Sequence, residues 1–346
     1  MDYPKILGKL CALPGPSGFE YPAAECAVQL LRPLVDEAAI DPMNSVVGVR
    51  RCGREKAPKL LLDAHLDEVG YIVTGHKNGF LSLASLGGTD ARVLPDQELT
   101  LLAEPPVLGV VSCLPPHVQS REQMNRAVPL SELCVDVGMS QEEALRKIPV
   151  GTPAVYRCGC VTLAQDRLCG KAMDDRACFA VILDALERLS GEELDVDLYI
   201  LGSAQEETQF TGAITGAYGI APDLCVAMDV THASTPDSAS NQTCELGKGP
   251  AIGVGSNCIR WMSRRMERVA QKAGLDYQIE VVAGNSGTDG WPIQVSRCGV
   301  ATTLLSLPLR YMHTSVETVS IRDMDAMAQI LAAFIRGLGR EVPRND

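Results

Sequence analysis

Apolar residues recur along this chain with two periods, and the change from one to the other divides it. Tyr3, Ile6, Leu7 and Leu10 fall at helical spacing, and Pro14-Gly15-Pro16-Ser17-Gly18 ends that helix with turn chemistry. A second helix is predicted over 20–34, with Ala24, Val28 and Leu31 on one face. After a turn at Asp41-Pro42-Met43-Asn44 come a short strand over 46–49 and the continuous apolar run 59–62, which suits a strand buried on both faces. From Tyr71 to Gln165 the long helical period disappears. Short β-like runs take over at 71–74, 80–83, 99–102, 108–111 and 155–163, the first two flanking the hairpin dipeptide Asn78-Gly79. One amphipathic piece, 140–147, interrupts them. Past Gly170 helix and strand alternate again. Phe179, Ile182, Leu183 and Leu186 mark a helix that begins near Asp175. Strands are predicted over 196–201, 224–228, 277–282 and 301–307, and helices over 211–218, 259–273, just after Thr288-Asp289, and over 321–338.

This alternation marks an α/β fold, a mostly parallel sheet covered by helices on both faces. Residues 1–70 and 166–346 then form one discontinuous domain, and 71–165 an inserted β-rich module. A length of 346 residues agrees with two domains. The net charge of -12 excludes nucleic acid and anionic membrane as main partners, because both need a basic footprint. No apolar run approaches the roughly 18 to 20 residues of a membrane helix, and the first residues lack a signal pattern, so the expected location is the cytoplasm. Asn241-Gln242-Thr243 matches a glycosylation triplet that carries no meaning without secretion. The odd count of 13 cysteines, with Cys26, Cys134, Cys178, Cys225 and Cys298 scattered singly through apolar stretches, fits buried thiols in a reducing compartment. Cys158 and Cys160 lie close together and are read as strand residues, since nothing nearby completes a zinc site.

Four apolar runs end on potential ligands. They are 60–62 before Asp63-Ala64-His65-Leu66-Asp67-Glu68, 198–201 before Gln205-Glu206-Glu207, 224–228 before Asp229, and 303–307 before Arg310-Tyr311-Met312-His313. Strand ends converging on one crevice are how an α/β enzyme builds a site. Adjacent acids at the end of a core strand persist only where positive charge compensates them, and a metal pair is that compensation. His65, Asp174, Glu207, Asp229 and His313 supply two nitrogens and three carboxylates. A catalytic ion takes about three protein ligands and a water, so this set serves two divalent ions when Asp174 bridges them. Three negative charges against four positive leave a net positive site that acidifies a shared water. Glu206, beside a ligand and not needed as one, is free to take the proton and return it to a leaving amine. Neighbours on a regular strand face opposite ways, so Glu206 and Glu207 share the crevice only if the chain leaves strand geometry there. Asp67, two residues past His65, is placed to orient the imidazole. The plainer reading of Asp174 is a helix N-cap, and that of His232 a loop residue without a role.

Asp63-Ala64-His65-Leu66-Asp67-Glu68-Val69-Gly70, Gly170-Lys171-Ala172-Met173-Asp174-Asp175-Arg176, Gln205-Glu206-Glu207, Asp229-Val230-Thr231, Gly287-Thr288-Asp289 and Arg310-Tyr311-Met312-His313 stand in that order. As a set they resemble the co-catalytic aminopeptidases of tetrahedral (TET) type, which include glutamyl and deblocking aminopeptidases and proteins labelled cellulase M. The resemblance runs from the turn at Pro14 to the last helix. It implies that His65 and Asp229 hold one ion, Glu207 and His313 the other, and Asp174 bridges, with Glu206 as general base and Asp67 supporting His65. It also implies a cis peptide after the bridging aspartate, a zinc-peptidase-like catalytic domain, and an inserted β-barrel-like dimerisation module. The metals it implies are Zn2+ or Co2+, and Mn2+ is acceptable to the same ligands. It implies at least a dimer, since members of the family often assemble dimers into tetrahedral dodecamers that admit only short peptides.

The expected activity is therefore removal of N-terminal residues from short peptides. A metal-dependent deacylase or carboxypeptidase is the nearest alternative in chemistry. A glycoside hydrolase needs two carboxyls across a sugar bond and no metal, leaving His65, Asp229 and His313 unexplained. A non-catalytic assembly protein has no use for an intact ligand set beside Glu206.

Overall fold

The chain opens with α1 (Tyr3–Leu10), where the Asp2 carboxylate accepts the N–H of Lys5, and α2 (Tyr21–Leu31), which starts with Pro22 in its first turn. Strands β1 (Glu37–Ile40), β2 (Val46–Arg50) and β3 (Lys59–His65) follow. Then come β4 (Gly70–Lys77), β5 (Phe80–Leu86), β6 (Glu98–Leu101), β7 (Val107–Val111), α3 (Arg121–Met124), β8 (Val135–Asp136), α4 (Gln141–Lys147) and β9 (Pro153–Tyr156). After them run β10 (Val161–Leu163), β11 (Arg167–Gly170), α5 (Met173–Arg188), β12 (Asp197–Ser203), α6 (Glu206–Gln209), α7 (Thr211–Ile220) and β13 (Leu224–His232). The last stretch holds β14 (Ala251–Gly255), α8 (Arg260–Ala273), β15 (Gln278–Val282), α9 (Gly290–Gln294), β16 (Ala301–Arg310), β17 (Glu317–Ser320) and α10 (Ile321–Arg336). The structure, a computed structural model, describes residues 1–112, 114–239 and 243–339, which leaves Asn241 and Gln242 of the glycosylation triplet outside.

These strands form two sheets. The larger has the order β1-β2-β12-β3-β13-β16-β17-β11-β10, with β14 and β15 attached beside β16. Its centre, β12, β3, β13 and β16, pairs in parallel, as do β14 and β15, and the remaining pairs are antiparallel. The parallel sheet read from the sequence is thus the middle of a mixed one. Each central strand is an unbroken apolar run because both faces are covered. Leu60 and Leu62 pack with the helices on the α5 and α10 side, and Leu61 between them packs with α7 and α9. Helix α5 is buried along its whole length from Met173 to Leu186, lying against β3, β13, α1 and α10. Each Leu or Phe so buried contributes about 1.5 to 3 kcal/mol relative to exposure.

The smaller sheet is a closed antiparallel barrel, β4-β5-β8-β7-β6-β9. It has its own core around Leu81, Leu99, Leu101 and Val135, with Tyr71 and Tyr156 edge to face and their hydroxyls 2.8 Å apart. Asn78 (φ 55°) and Gly79 (φ 90°) make the β4–β5 turn in the left-handed region that this dipeptide tolerates. The run 155–163, expected as one strand, is split. Strand β9 closes the barrel, held by the Tyr71–Tyr156 contact, whereas β10 pairs antiparallel with β11 at the edge of the large sheet. Cys158 and Cys160 therefore lie in the connection between sheets and not in a strand. Cys178 and Cys225 are buried as expected, but Cys26 and Cys134 are only partly buried and Cys298, in the turn before β16, is exposed. Every described cysteine is a free thiol. No described helix is long and apolar enough to cross a membrane.

Candidate metal centre and active site

The four central strands deliver their C-terminal ends to one cavity of about 380 Å³. The apolar run 60–62 continues as strand through His65, the last residue of β3, and β13 runs on to His232, so Asp229 sits within a strand. Among the described residues, two groups bring their ligand atoms within 4.8 Å of one another: His65, Asp174 and Asp229, and Asp174, Glu207 and His313. Asp174 belongs to both. Its Oδ1 is 3.0 Å from His65 Nε2, and its Oδ2 is 3.4 Å from His313 Nε2, which is 3.3 Å from Glu207 Oε2. Glu206 Oε2 lies 3.9 Å from His65 Nε2. His232 lines the same cavity from an exposed position.

Local backbone explains how neighbouring acids share the space. Gln205 adopts φ 59° where β12 ends, and α6 begins at Glu206, so the chain leaves strand geometry at the point where it must. Asp67 holds this turn. Its Oδ1 accepts the N–H of Glu206 at 3.0 Å, and its Oδ2 accepts the N–H of Glu207 at 3.2 Å and the hydroxyl of Ser17. The same Oδ1 is 3.4 Å from His65 Nδ1, and the main-chain carbonyl of Asp67 is closer, at 3.1 Å. The Asp174–Asp175 peptide is cis, and both residues depart from helical geometry inside α5, whose cap is Ala172 and not Asp174.

Other functional neighbours escaped the sequence reading. Glu317 accepts the N–H groups of Met173 (2.8 Å), Asp174 (3.2 Å) and His313 (2.8 Å), tying the shared aspartate to the second histidine. His313 Nδ1 is 2.5 Å from the carbonyl oxygen of Gly88, on the segment that follows β5, and a Cβ added to Gly88 would come within 3.3 Å of that nitrogen. Glu68 meets Lys171 Nζ at 2.7 and 2.8 Å, and Arg176 donates to the carbonyls of Leu10, Leu13 and Leu66, fixing the strand end that bears His65. The only signal for Glu68, Lys171 and Arg176 was their place inside the motif segments that bear His65 and Asp174.

Burial dominates the electrostatics. Together with the charge of Asp174 it pushes Glu207 up to about 8 and Asp229 up to about 8, against the pull of His65. Burial and then the Asp229 charge push Glu206 up to about 11, again against His65. Burial also opposes ionisation of Asp174, but hydrogen bonds from His313 and His65 hold it well below the usual carboxylate range. For His313 burial disfavours the cation, yet the Asp174 hydrogen bond and the Glu207 charge raise it to about 9. Asp63, Asp175 and Asp289 are buried beside this set, each raised chiefly by burial. The burial of these further acids and of Glu206 beside the ligand set could not be read from the chain. Two imidazoles and several carboxylates that burial drives toward protonation form a donor set suited to divalent cations, which restore the ionised forms.

Buried acids and imidazoles gathered at parallel strand ends, on a sheet with a barrel inserted behind its first ligand strand, define the candidate site of a metal-dependent hydrolase. Residues 44–330 match the M42 glutamyl aminopeptidase family, and the chain belongs to that family. A lysyl aminopeptidase of Pyrococcus furiosus is 32% identical over 341 residues, covering 96% of this chain and 97% of its own. The structure of an aminopeptidase from the archaeon Desulfurococcus kamchatkensis aligns with a TM-score of 0.90 at 34% identity, covering 98% of this chain and 95% of the other. A TET1 peptidase of Pyrococcus horikoshii, which can assemble into a tetrahedron or a large octahedral shell, aligns with a TM-score of 0.84 at 26% identity, covering 97% and 100%.

Proposed function

We propose that the enzyme removes N-terminal residues from short peptides with two divalent ions, one held by His65 and Asp229, the other by Glu207 and His313, and Asp174 between them. The observation that carries this reading is the pair of ligand groups sharing Asp174. When bound, such ions supply Lewis acidity and make a water a better nucleophile near neutral pH. Glu206 accepts the proton of the attacking water and passes it to the leaving amine, a task suited to a carboxylate that lines the cavity 3.9 Å from His65 Nε2. Asp67 keeps Glu206 and Glu207 in place through their N–H groups. The acid-rich cavity attracts a free N-terminal ammonium and offers an acetylated terminus no matching partner. Zinc or cobalt is the proposed metal, with manganese compatible with the same donors.

The segment 71–165 is taken as the self-association unit, a reading supported by the exposed apolar Leu108, Val110 and Leu114 on it. The proposed state is a dimer or a dodecamer built from dimers, and the proposed location is the cytoplasm. Hydrolysis of aminoacyl-anilides and of free and N-acetylated short peptides, by apo protein and after reloading with zinc or cobalt, tests the function. Metal-restored release of the first residue with acetylated peptides resistant is expected. No cleavage under any metal, despite about two ions bound per chain, refutes it.

A further inference from the structure

Glu280, in the middle of β15, turns into the cavity while Ile279 and Val281 on either side are exposed. Its carboxylate is held from two directions. Thr231 Oγ1 donates to Oε1 at 2.6 Å, and Ser306 Oγ donates to Oε2 at 2.7 Å. Thr231 stands two residues beyond Asp229 on β13, and Ser306 is the register partner of Asp229 on β16. Both hydroxyls thus rise from the face of the sheet that carries Asp229, with Thr231 one side-chain repeat, roughly 6 to 7 Å, farther along. Each carboxylate oxygen accepts one hydroxyl and keeps further acceptor capacity. Among the described residues no lysine or arginine lines the cavity and none pairs with Glu280.

We propose that Glu280 selects peptides beginning with lysine or arginine, its carboxylate pairing with the side-chain cation of the first residue. This rests on the aminopeptidase reading above. For its carbonyl to react, the first residue must sit beside Glu206 and the ligand set, and an extended lysine carries its ammonium about 6 Å from Cα. That reach matches the strand repeat separating Asp229 from Thr231, the farther of the two Glu280 anchors. Phe210 and Met312 line the same cavity and offer apolar surface to the aliphatic stem. Thr231 and Ser306 are positioning residues that preset the carboxylate, so little ordering remains for the substrate to impose. A first-residue leucine leaves Glu280 without a counter-charge, and a glutamate meets like charge.

The test compares kcat/KM of the metal-loaded enzyme for Lys-, Arg-, Leu- and Glu-p-nitroanilide. Lysine and arginine should exceed leucine by roughly 10- to 100-fold, with glutamate lowest. In Glu280→Gln the Lys-to-Leu ratio should fall by the same factor, more through KM than kcat, whereas a merely structural role lowers both substrates together and preserves the ratio. Lysinamide should inhibit the unaltered enzyme at least about tenfold more strongly than norleucinamide, which has a similar shape without the charge. That arm needs no variant to fold. Equal turnover of Lys and Leu anilides with equal inhibition by the two amides overturns the assignment to Glu280 and leaves the aminopeptidase standing. Failure to cleave any anilide or peptide overturns the aminopeptidase itself.

Discussion

Replacing Asp67 by asparagine separates orientation of the glutamates from binding of the metal. The carboxylate accepts the N–H of Glu206 at 3.0 Å, the N–H of Glu207 at 3.2 Å and the Ser17 hydroxyl, and is itself fully buried. Asparagine keeps the shape and one acceptor oxygen but turns an NH2 toward one of those donors. Losing a hydrogen bond to a charged acceptor costs about 1.5 to 3 kcal/mol. The turn bearing Glu206 and Glu207 is only four residues long, whereas the strands around it are locked in the core, so the loss falls on the glutamates rather than on the fold. At about 1.4 kcal/mol per factor of ten, the result is a fall of roughly 10- to 100-fold in kcat/KM, the range expected when support for a metal-bound histidine is removed. The assay is anilide hydrolysis across a zinc or cobalt titration, with circular dichroism to show an intact fold. Ser17→Ala, which spares both N–H bonds, should cost roughly 2- to 10-fold. An Asp67→Asn enzyme with unaltered kcat/KM and metal titration refutes this reasoning, as does a Ser17→Ala loss exceeding that of Asp67→Asn.

Glu206→Gln keeps volume and loses the proton acceptor, so kcat should fall roughly 10²- to 10⁴-fold. Elemental analysis should still find about two ions per chain, and loss of metal along with activity would count against a proton-transfer role. Chelation should abolish hydrolysis and lower Tm, because each ion at 100 times its Kd stabilises the fold by about 2.7 kcal/mol; an unchanged Tm contradicts the donor set as read. Glu20 is fully buried, and burial pushes its carboxyl from 4.5 up to about 7 against the N–H of Gly18. The folded state therefore holds a proton that the unfolded state releases, and stability that is complete below about pH 4.5 is lost as pH rises through about 7. Urea midpoints of Glu20→Gln should gain on the unaltered protein across that window by up to about 3 kcal/mol, and parallel pH profiles would show the carboxyl is not buried in this way.

The strands that carry the donor set were legible because each is a continuous apolar run stopped by an acid or a histidine. Their lengths were not. Asp229 looks like the end of a strand, yet the ladder between β13 and β16 continues through it to His232 and Leu309, since a polar side chain aimed at a cavity leaves its backbone free to pair. Strand β17, Glu-Thr-Val-Ser, is buried and polar and reads as a loop, and β14 carries glycines that read as a turn. Glu317 was invisible because its role is to accept three N–H groups from residues far away in sequence or turned by an unusual backbone. Asp67 was assigned to His65 from a spacing of two, and its Oδ1 lies 3.4 Å from His65 Nδ1, but the same carboxylate also accepts the N–H groups of Glu206 and Glu207, 139 and 140 positions later. Spacing arguments find partners along a segment, and only the fold reveals partners across it.

The carbonyl of Gly88 makes the barrel more than an attachment. A carbonyl oxygen can only accept, so it fixes a proton on Nδ1 of His313 and leaves Nε2, which faces Asp174 and Glu207, as the nitrogen that would bind an ion once its own proton is lost. The tautomer of a residue near the end of the chain is thus written by a peptide unit leaving the barrel's second strand. An exchange of barrels between relatives would transplant that instruction along with the outer surface, and a graft that seats well but shifts the peptide by a fraction of an ångström would misset the imidazole. Drift on the barrel's exterior and upkeep of the chemistry are in this way constrained by the same few backbone atoms.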